Sequence, residues 1–411
     1  MAIVKPFKAV RPSRDKVALV SSKSYEAYTP AELGAKLDFN PFSFLHVINP
    51  GYKFHQEVSG EERFKLVHNR YLEFKENQIF IKDKIPAFYI YEKIETHQSF
   101  CGIIAATSVK DYVNNVIKKH EGTLSKREQL FENYLKVTGF NAEPVLLTFK
   151  DDVTISEIIN QEKEKRPEYE FSTTDKKLHK LWLINEEIIN QKITSAFQKI
   201  EVLYIADGHH RTASSSLLAK GLASENKNHT GNEDYNYFMS YLIPESNLKI
   251  SAFNRFVKDL NGFTVDEFLM KLDATFRIEN KKQQLYSPSK KHHFSMYLNG
   301  EFYALYLRKT KYKFTDALSK LDSEILYKTI LHPILGIKDV NNNERLGYAH
   351  NKTDSFTIKT KVDAGLYKVG FSLIPVTIDE MKAISNQNLK MPPKTTYIQP
   401  KLRSGLTLYE F

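Results

Sequence analysis

Leu203-Tyr204-Ile205-Ala206-Asp207-Gly208-His209-His210-Arg211-Thr212 joins two patterns at one tight turn. The apolar run Val202 to Ala206 reads as a buried strand. Thr212 to Lys220 reads as a helix, with Ala213, Leu217 and Leu218 on one side. Strand, turn and helix in this order aim backbone N–H groups and a helix N-terminus at an anion. Gly208 lets backbone approach a ligand closely. Arg211 can grip two phosphate oxygens at once, and Asp207 can hold magnesium or accept a substrate proton. His209 and His210 can donate hydrogen bonds or act in acid–base chemistry. The plainer alternative is an Asp N-cap followed by solvent-facing histidines. The crowding of functional groups at one turn favours a site.

Working outward, strands are expected at Ala87 to Glu92, Phe100 to Thr107, Pro144 to Phe149 and Tyr237 to Ile243. Phe294 to Leu298 and Phe302 to Leu307 flank Asn299-Gly300, a pair that accepts positive φ and so marks a two-residue hairpin. Lys368 to Ile374 reads as a further strand. Helix starts are written in capping chemistry at Thr29-Pro30-Ala31-Glu32, Ser125-Lys126-Arg127-Glu128, Thr264-Val265-Asp266-Glu267 and Thr377-Ile378-Asp379-Glu380. The polar stretch Leu222 to Asp234 reads as a surface loop. Pro392, Pro393 and Pro400 make the last twenty residues largely extended.

A chain of 411 residues is too long for one ordinary core. The expected fold class is α+β (mixed α/β). A soft boundary is expected near residue 245: residues 1–245 mix strands and helices around the key motifs, 246–390 read as an α+β accessory domain, and 391–411 as an extended tail. The composition, 41% hydrophobic and 26% charged, is that of a folded globular protein. The net charge of +10 favours anionic ligands, although no long Lys/Arg run concentrates it. The single cysteine, Cys101, lies in an apolar run, excludes intramolecular disulfides and reads as a core residue. No stretch approaches the ~18 apolar residues of a membrane span. The first residues carry no long apolar h-region. A cytoplasmic location without a membrane partner is expected.

Two further stretches carry polar groups in unusual settings. His120-Glu121-Gly122-Thr123 precedes the helix beginning near Ser125. A metalloprotease pattern needs histidine at position 124, which is Leu124, so the zinc reading fails. A loop glutamate near a helix start is either a general base or a solvated acid. Met391-Pro392-Pro393-Lys394-Thr395-Thr396-Tyr397-Ile398-Gln399-Pro400-Lys401 is a rigid, extended segment in which Lys394 and two hydroxyls either close over phosphates or belong to a strap packed on the surface.

The Asp-Gly-His-His-Arg turn resembles the ParB/sulfiredoxin superfamily. The three motifs together resemble a bacterial family of unknown function, across nearly the whole chain, including Pro86 to Tyr91, Trp182 and Leu335-Gly336-Ile337. They are also similar, mainly in the motifs, to the archaeal free-serine kinases. That resemblance implies a ParB/sulfiredoxin-like core and a phosphotransferase that converts free L-serine to O-phosphoserine. Mg²⁺ and ATP or ADP would serve as cofactor and donor. It implies Glu121 as the group activating the hydroxyl, with His120 and Thr123 near the substrate. Asp207, His209 and His210 would be catalytic, Asp207 also holding the metal. Gly208, Arg211, Thr212, Lys394, Thr395 and Thr396 would contact phosphate or nucleotide. Sulfiredoxin carries cysteine where this chain has His209, which excludes thiol-based sulfinic-acid repair. A helix-turn-helix of the ParB type is missing, so nucleic acid is not an expected partner. The alternative from another class is a nucleotide-switched binding protein, using CTP or ATP, and a kinase for another hydroxylated metabolite also fits the motifs.

Overall fold

Long runs of alternating aromatic and aliphatic residues make the largest element, a mixed nine-stranded sheet. The computed structural model describes residues 1–340, 343–350 and 354–411. In chain order the strands of this sheet are β1 (Val4–Lys5), β2 (Phe88–Glu95), β3 (Gln98–Ser108), β4 (Ile117–Lys118), β5 (Val145–Phe149), β6 (Tyr169–Ser172), β7 (Leu178–Ile184), β8 (Leu203–Asp207) and β9 (Tyr237–Pro244). Their order is β6-β7-β2-β3-β9-β5-β8-β4, with β1 on β3. Most pairs are antiparallel; β9 with β5 and β8 with β4 are parallel. Helices α1 (Val153–Lys163) and α2 (Glu187–Gln198) pack against this sheet. Ile155, Ile158, Ile193 and Phe197 from these helices join Ile90, Ile103, Leu147, Trp182 and Ile205 in one core. Each fully buried aliphatic side chain contributes about 2 kcal/mol. Cys101 belongs to this core, and burial pushes its thiol up to about 12.

Two compact units result. The first comprises Met1–Lys118, Thr123–Leu248 and Pro400–Phe411; the second comprises Lys119–Gly122 and Lys249–Gln399. The second has its own six-stranded antiparallel sheet of β10 (Asn254–Val257), β11 (Phe276–Lys282), β12 (His293–Leu298), β13 (Glu301–Leu307), β14 (Leu346–Ala349) and β15 (Val369–Ser372). Its order is β11-β13-β12-β15-β10-β14. Phe268, Leu272, Phe294, Leu305, Leu331 and Phe371 are central to its core. The β12–β13 hairpin turns through Asn299 and Gly300 with φ of 50° and 84°. The fold is therefore mixed α and β in both units.

The capping boxes at Thr29, Thr264 and Thr377 are each formed in both directions, a contribution of roughly 1 kcal/mol per helix start. Ser125 differs from expectation. It is the first helical residue of Ser125–Thr138, and Leu124 occupies the N-cap without a side-chain bond. The backbone carbonyl of Leu124 already accepts from Arg127 and Glu128, which sets the helix start one residue earlier. The helix after the central motif is also longer than its apolar spacing suggests. It runs His209–Glu225, so Leu222 to Glu225 are helical rather than loop. Among the described residues no helix is long and apolar enough to cross a membrane.

The C-terminal residues are extended, as their prolines require. Tyr397–Gln399 pairs with Lys249–Ser251 in the second unit. Arg403–Ser404 pairs with Ser22–Lys23, and Tyr409–Glu410 with Phe140–Asn141, in the first.

Candidate functional site

Strand β8 ends in an irregularity: Ile205 faces Leu147 on β5, whereas Asp207 faces Leu146. Such a bulge re-aims the side chains at a strand end. Gly208 follows with φ of 99°, a conformation that a side chain strains. A Cβ placed there would also meet the guanidinium of Arg211 at 3.1 Å. Glycine is thus required twice, once for the turn and once for the arginine lying over it. His209, His210 and Arg211 then form the first turn of the helix.

Arg211 is a cation at the positive end of a helix, a placement that needs nearby negative charge. Its Nη2 donates to Asp207 Oδ2 at 2.8 Å and its Nη1 to the carbonyl of Pro144 at 2.6 Å. Glu143 Oε2 lies 3.6 Å from Nη1. The other oxygen of Asp207 accepts from Lys401 Nζ at 2.7 Å. Ser404 donates its hydroxyl to Glu143. Burial would raise the Asp207 carboxyl, but Lys401 and then Arg211 outweigh it and hold the group below the usual carboxylate range. His209 is buried beside it. Thr212 is fully buried, and its hydroxyl donates to the Gly208 carbonyl at 3.2 Å, which stiffens the turn.

The other expected residues lie as follows. Thr123 is half-buried in the first unit. His120 and Glu121 belong to the second unit. His120 is fully buried, its carbonyl accepts from Met391 N at 2.8 Å, and its Nε2 lies 3.9 Å from Glu121 Oε1. Lys394 is exposed and sits at φ of 53°. Thr395 is buried and donates to the Pro392 carbonyl at 2.6 Å; Thr396 is half-buried. The tail cation that bonds the central motif is Lys401.

A family model for proteins of unknown function, DUF1015, matches residues 4–324. The chain belongs to the DUF1015 family. No curated protein matches it in sequence. Among solved structures, this DUF1015 chain is similar to SbnI with C-terminal truncation from Staphylococcus aureus, at 12% identity and a TM-score of 0.37, over 73% of this chain and 84% of that one. It is similar to free serine kinase in complex with AMP at 12% identity and a TM-score of 0.34, over 73% and 88%. A conserved hypothetical protein from Pyrococcus furiosus gives 14% identity and a TM-score of 0.34, over 72% and 90%.

Sequence reasoning alone gives no role to Glu143 or Ser404 of this DUF1015 chain, nor to Lys401, which ends the proline-rich stretch from Met391. One weak signal was available: Glu143 and Gln399 both precede proline, so Glu143-Pro144 and Pro400-Lys401 hold fixed, extended backbone. Magnesium fits the described residues poorly. No group of three His, Cys, Asp or Glu side chains is placed to hold an ion. Both oxygens of Asp207 are engaged by cations, at 2.7 and 2.8 Å. The donors around the turn suit an anion.

Proposed function

We propose that this chain is a nucleotide-dependent phosphotransferase whose acceptor is the hydroxyl of free L-serine. The observation that carries the reading is the glycine turn at Gly208, which seats Arg211 and Lys401 around one carboxylate at a helix N-terminus. Phosphoryl transfer needs positioning and charge stabilisation more than covalent catalysis. Arg211 and the helix N-terminus have the chemistry to receive the oxygens of a terminal phosphate. A bound phosphate competes with Asp207 for both cations, so the resting ion pairs keep them in place between turnovers. Glu121 takes the role that the motif resemblance assigns it. Its carboxylate accepts the hydroxyl proton as the serine oxygen bonds to phosphorus and the nucleotide's bridging oxygen leaves with the electron pair.

The test is mass detection of O-phosphoserine from L-serine, with ATP and ADP supplied separately. Glu121→Ala should lose turnover while retaining nucleotide binding. Loss of both together, or absence of any serine-dependent product from the native chain with either donor, overturns the reading.

A further inference from the structure

Arg255, in the middle of β10, is only 3% exposed. Its hydrogen bonds go to backbone carbonyls: Nη1 to Phe253 at 2.7 Å and Nη2 to Lys394 at 3.2 Å. These use two of its five N–H donors. Among the described residues no carboxylate forms an ion pair with it. The centroid of the Tyr348 ring lies 5.9 Å from the guanidinium carbon. A buried cation without a counter-ion is costly, because desolvation exceeds what neutral carbonyls return. Burial accordingly pulls its pKa down to about 10, with Tyr348 acting in the opposite direction. The first unit shows the contrast. Arg11 is buried there at 6% exposure and meets Asp83 at 2.9 Å and Glu168 at 3.0 Å.

The carbonyl that Arg255 holds belongs to Lys394, whose backbone has φ of 53°. The turn is locked from its other side by the buried Thr395 hydroxyl, which donates to the Pro392 carbonyl and lies 3.3 Å from Ser323 Oγ. Lys394 is thereby fixed with its ammonium 5.7 Å from the Phe253 ring centroid. It too has no carboxylate partner among the described residues. Phe253 stacks on His350 at 5.5 Å and meets Tyr397 edge-on at 5.9 Å, which stiffens that wall. Arg255 on β10 and Lys394 on the turn whose carbonyl it holds, neither matched by an acid among the described residues, are complementary to a group carrying about two negative charges.

We infer that Arg255 and Lys394 form a phosphate-binding site within the second unit, serving a phosphorylated small molecule. The inference deepens the reading above and rests on it for Lys394 alone. The Arg255 observation stands without it.

The experiment is calorimetric titration of the full chain with inorganic phosphate, ADP and O-phospho-L-serine in turn, paired with thermal unfolding. Arg255→Met keeps the volume and removes the unmatched charge. It should leave the ligand-free melting temperature equal or higher, and weaken the best-bound phosphate compound at least tenfold. Lys394→Met, at an exposed position, should weaken the same compound while the fold is unaffected. Whichever of the three binds best identifies the source of the phosphate. Unchanged affinity in both variants, or no binding of any of the three to the native chain, overturns the site. So does an Arg255→Met chain that fails to fold while Lys394→Met binds normally, since Arg255 is then structural. Phosphoserine production, measured separately, reports on the kinase reading and not on this site.

Discussion

Lys401 Nζ and Asp207 Oδ1 lie 2.7 Å apart although 194 positions separate them in the chain. The contact ties the C-terminal strap to the central turn. It leaves the carboxylate between two cations, with Arg211 on its other oxygen. The strap is itself held: Lys93 Nζ donates to the Lys401 carbonyl at 3.2 Å, and Arg403 Nε to Ser21 Oγ at 3.0 Å.

Lys401→Met tests what this pair does. Both side chains are partly exposed, so stability should change by less than about 1 kcal/mol. Lys401 is the larger of the two influences depressing the Asp207 carboxyl, so that group should titrate at higher pH in the variant. Carboxyl NMR reads this directly. Phosphoryl transfer should fall at least tenfold with the fold intact.

Gly208→Ala should destabilise the chain by about 1–2 kcal/mol from backbone strain alone. The added methyl also has to displace the Arg211 guanidinium from 3.1 Å. Denaturant unfolding measures the first effect and nucleotide titration the second. A variant as stable as the native chain and equally able to bind nucleotide would contradict the geometry described for the turn.

The hairpin at Asn299-Gly300 and the capping boxes at Thr29, Thr264 and Thr377 were legible because each is decided within four residues. Ser125 carries the same local spelling, yet Leu124 takes the cap, because the pattern does not fix which residue turns first. The strand-turn-helix around Asp207 was legible for the same local reason. What surrounds it was not. Glu143, Lys401 and Ser404 arrive through sheet pairing and a strap more than sixty positions from Asp207 in either direction, and no periodicity encodes that. The unmatched charge of Arg255 was equally hidden, since a lone arginine in a strand says nothing about the absence of an acid.

Asp322 offers a pH test in the second unit. It is 1% exposed, its Oδ1 accepts from His292 N at 2.9 Å, and its Oδ2 has no hydrogen-bond partner among the described residues. Burial raises its carboxyl from an ordinary 3.8 to about 6. The folded chain therefore binds a proton that the unfolded chain has released between those values. Stability should fall as pH rises from about 4 to 6 and stay lower above, by roughly 3 kcal/mol. Asp322→Asn should remove that slope, as thermal melts across this range would show.

Glu410 runs the other way. It accepts from Lys75 and Lys82, each at 2.6 Å, and from Tyr71. Burial opposes these partners, which still hold it down at about 2. Its stabilisation is full above about pH 4.5 and is lost as pH falls towards 2. Glu410→Gln should cost roughly 2 kcal/mol at neutral pH, and its melting temperature should converge on that of the native chain in acid.

The central claim is that the Asp207–Arg211 turn holds the phosphates of a nucleotide. Calorimetric titration of ATP and ADP into the native chain and into Arg211→Gln, with folding checked by circular dichroism, addresses it most directly. The account predicts that at least one nucleotide binds the native chain, and that affinity for it falls tenfold or more in the folded variant. Equal affinity in the two proteins would contradict it.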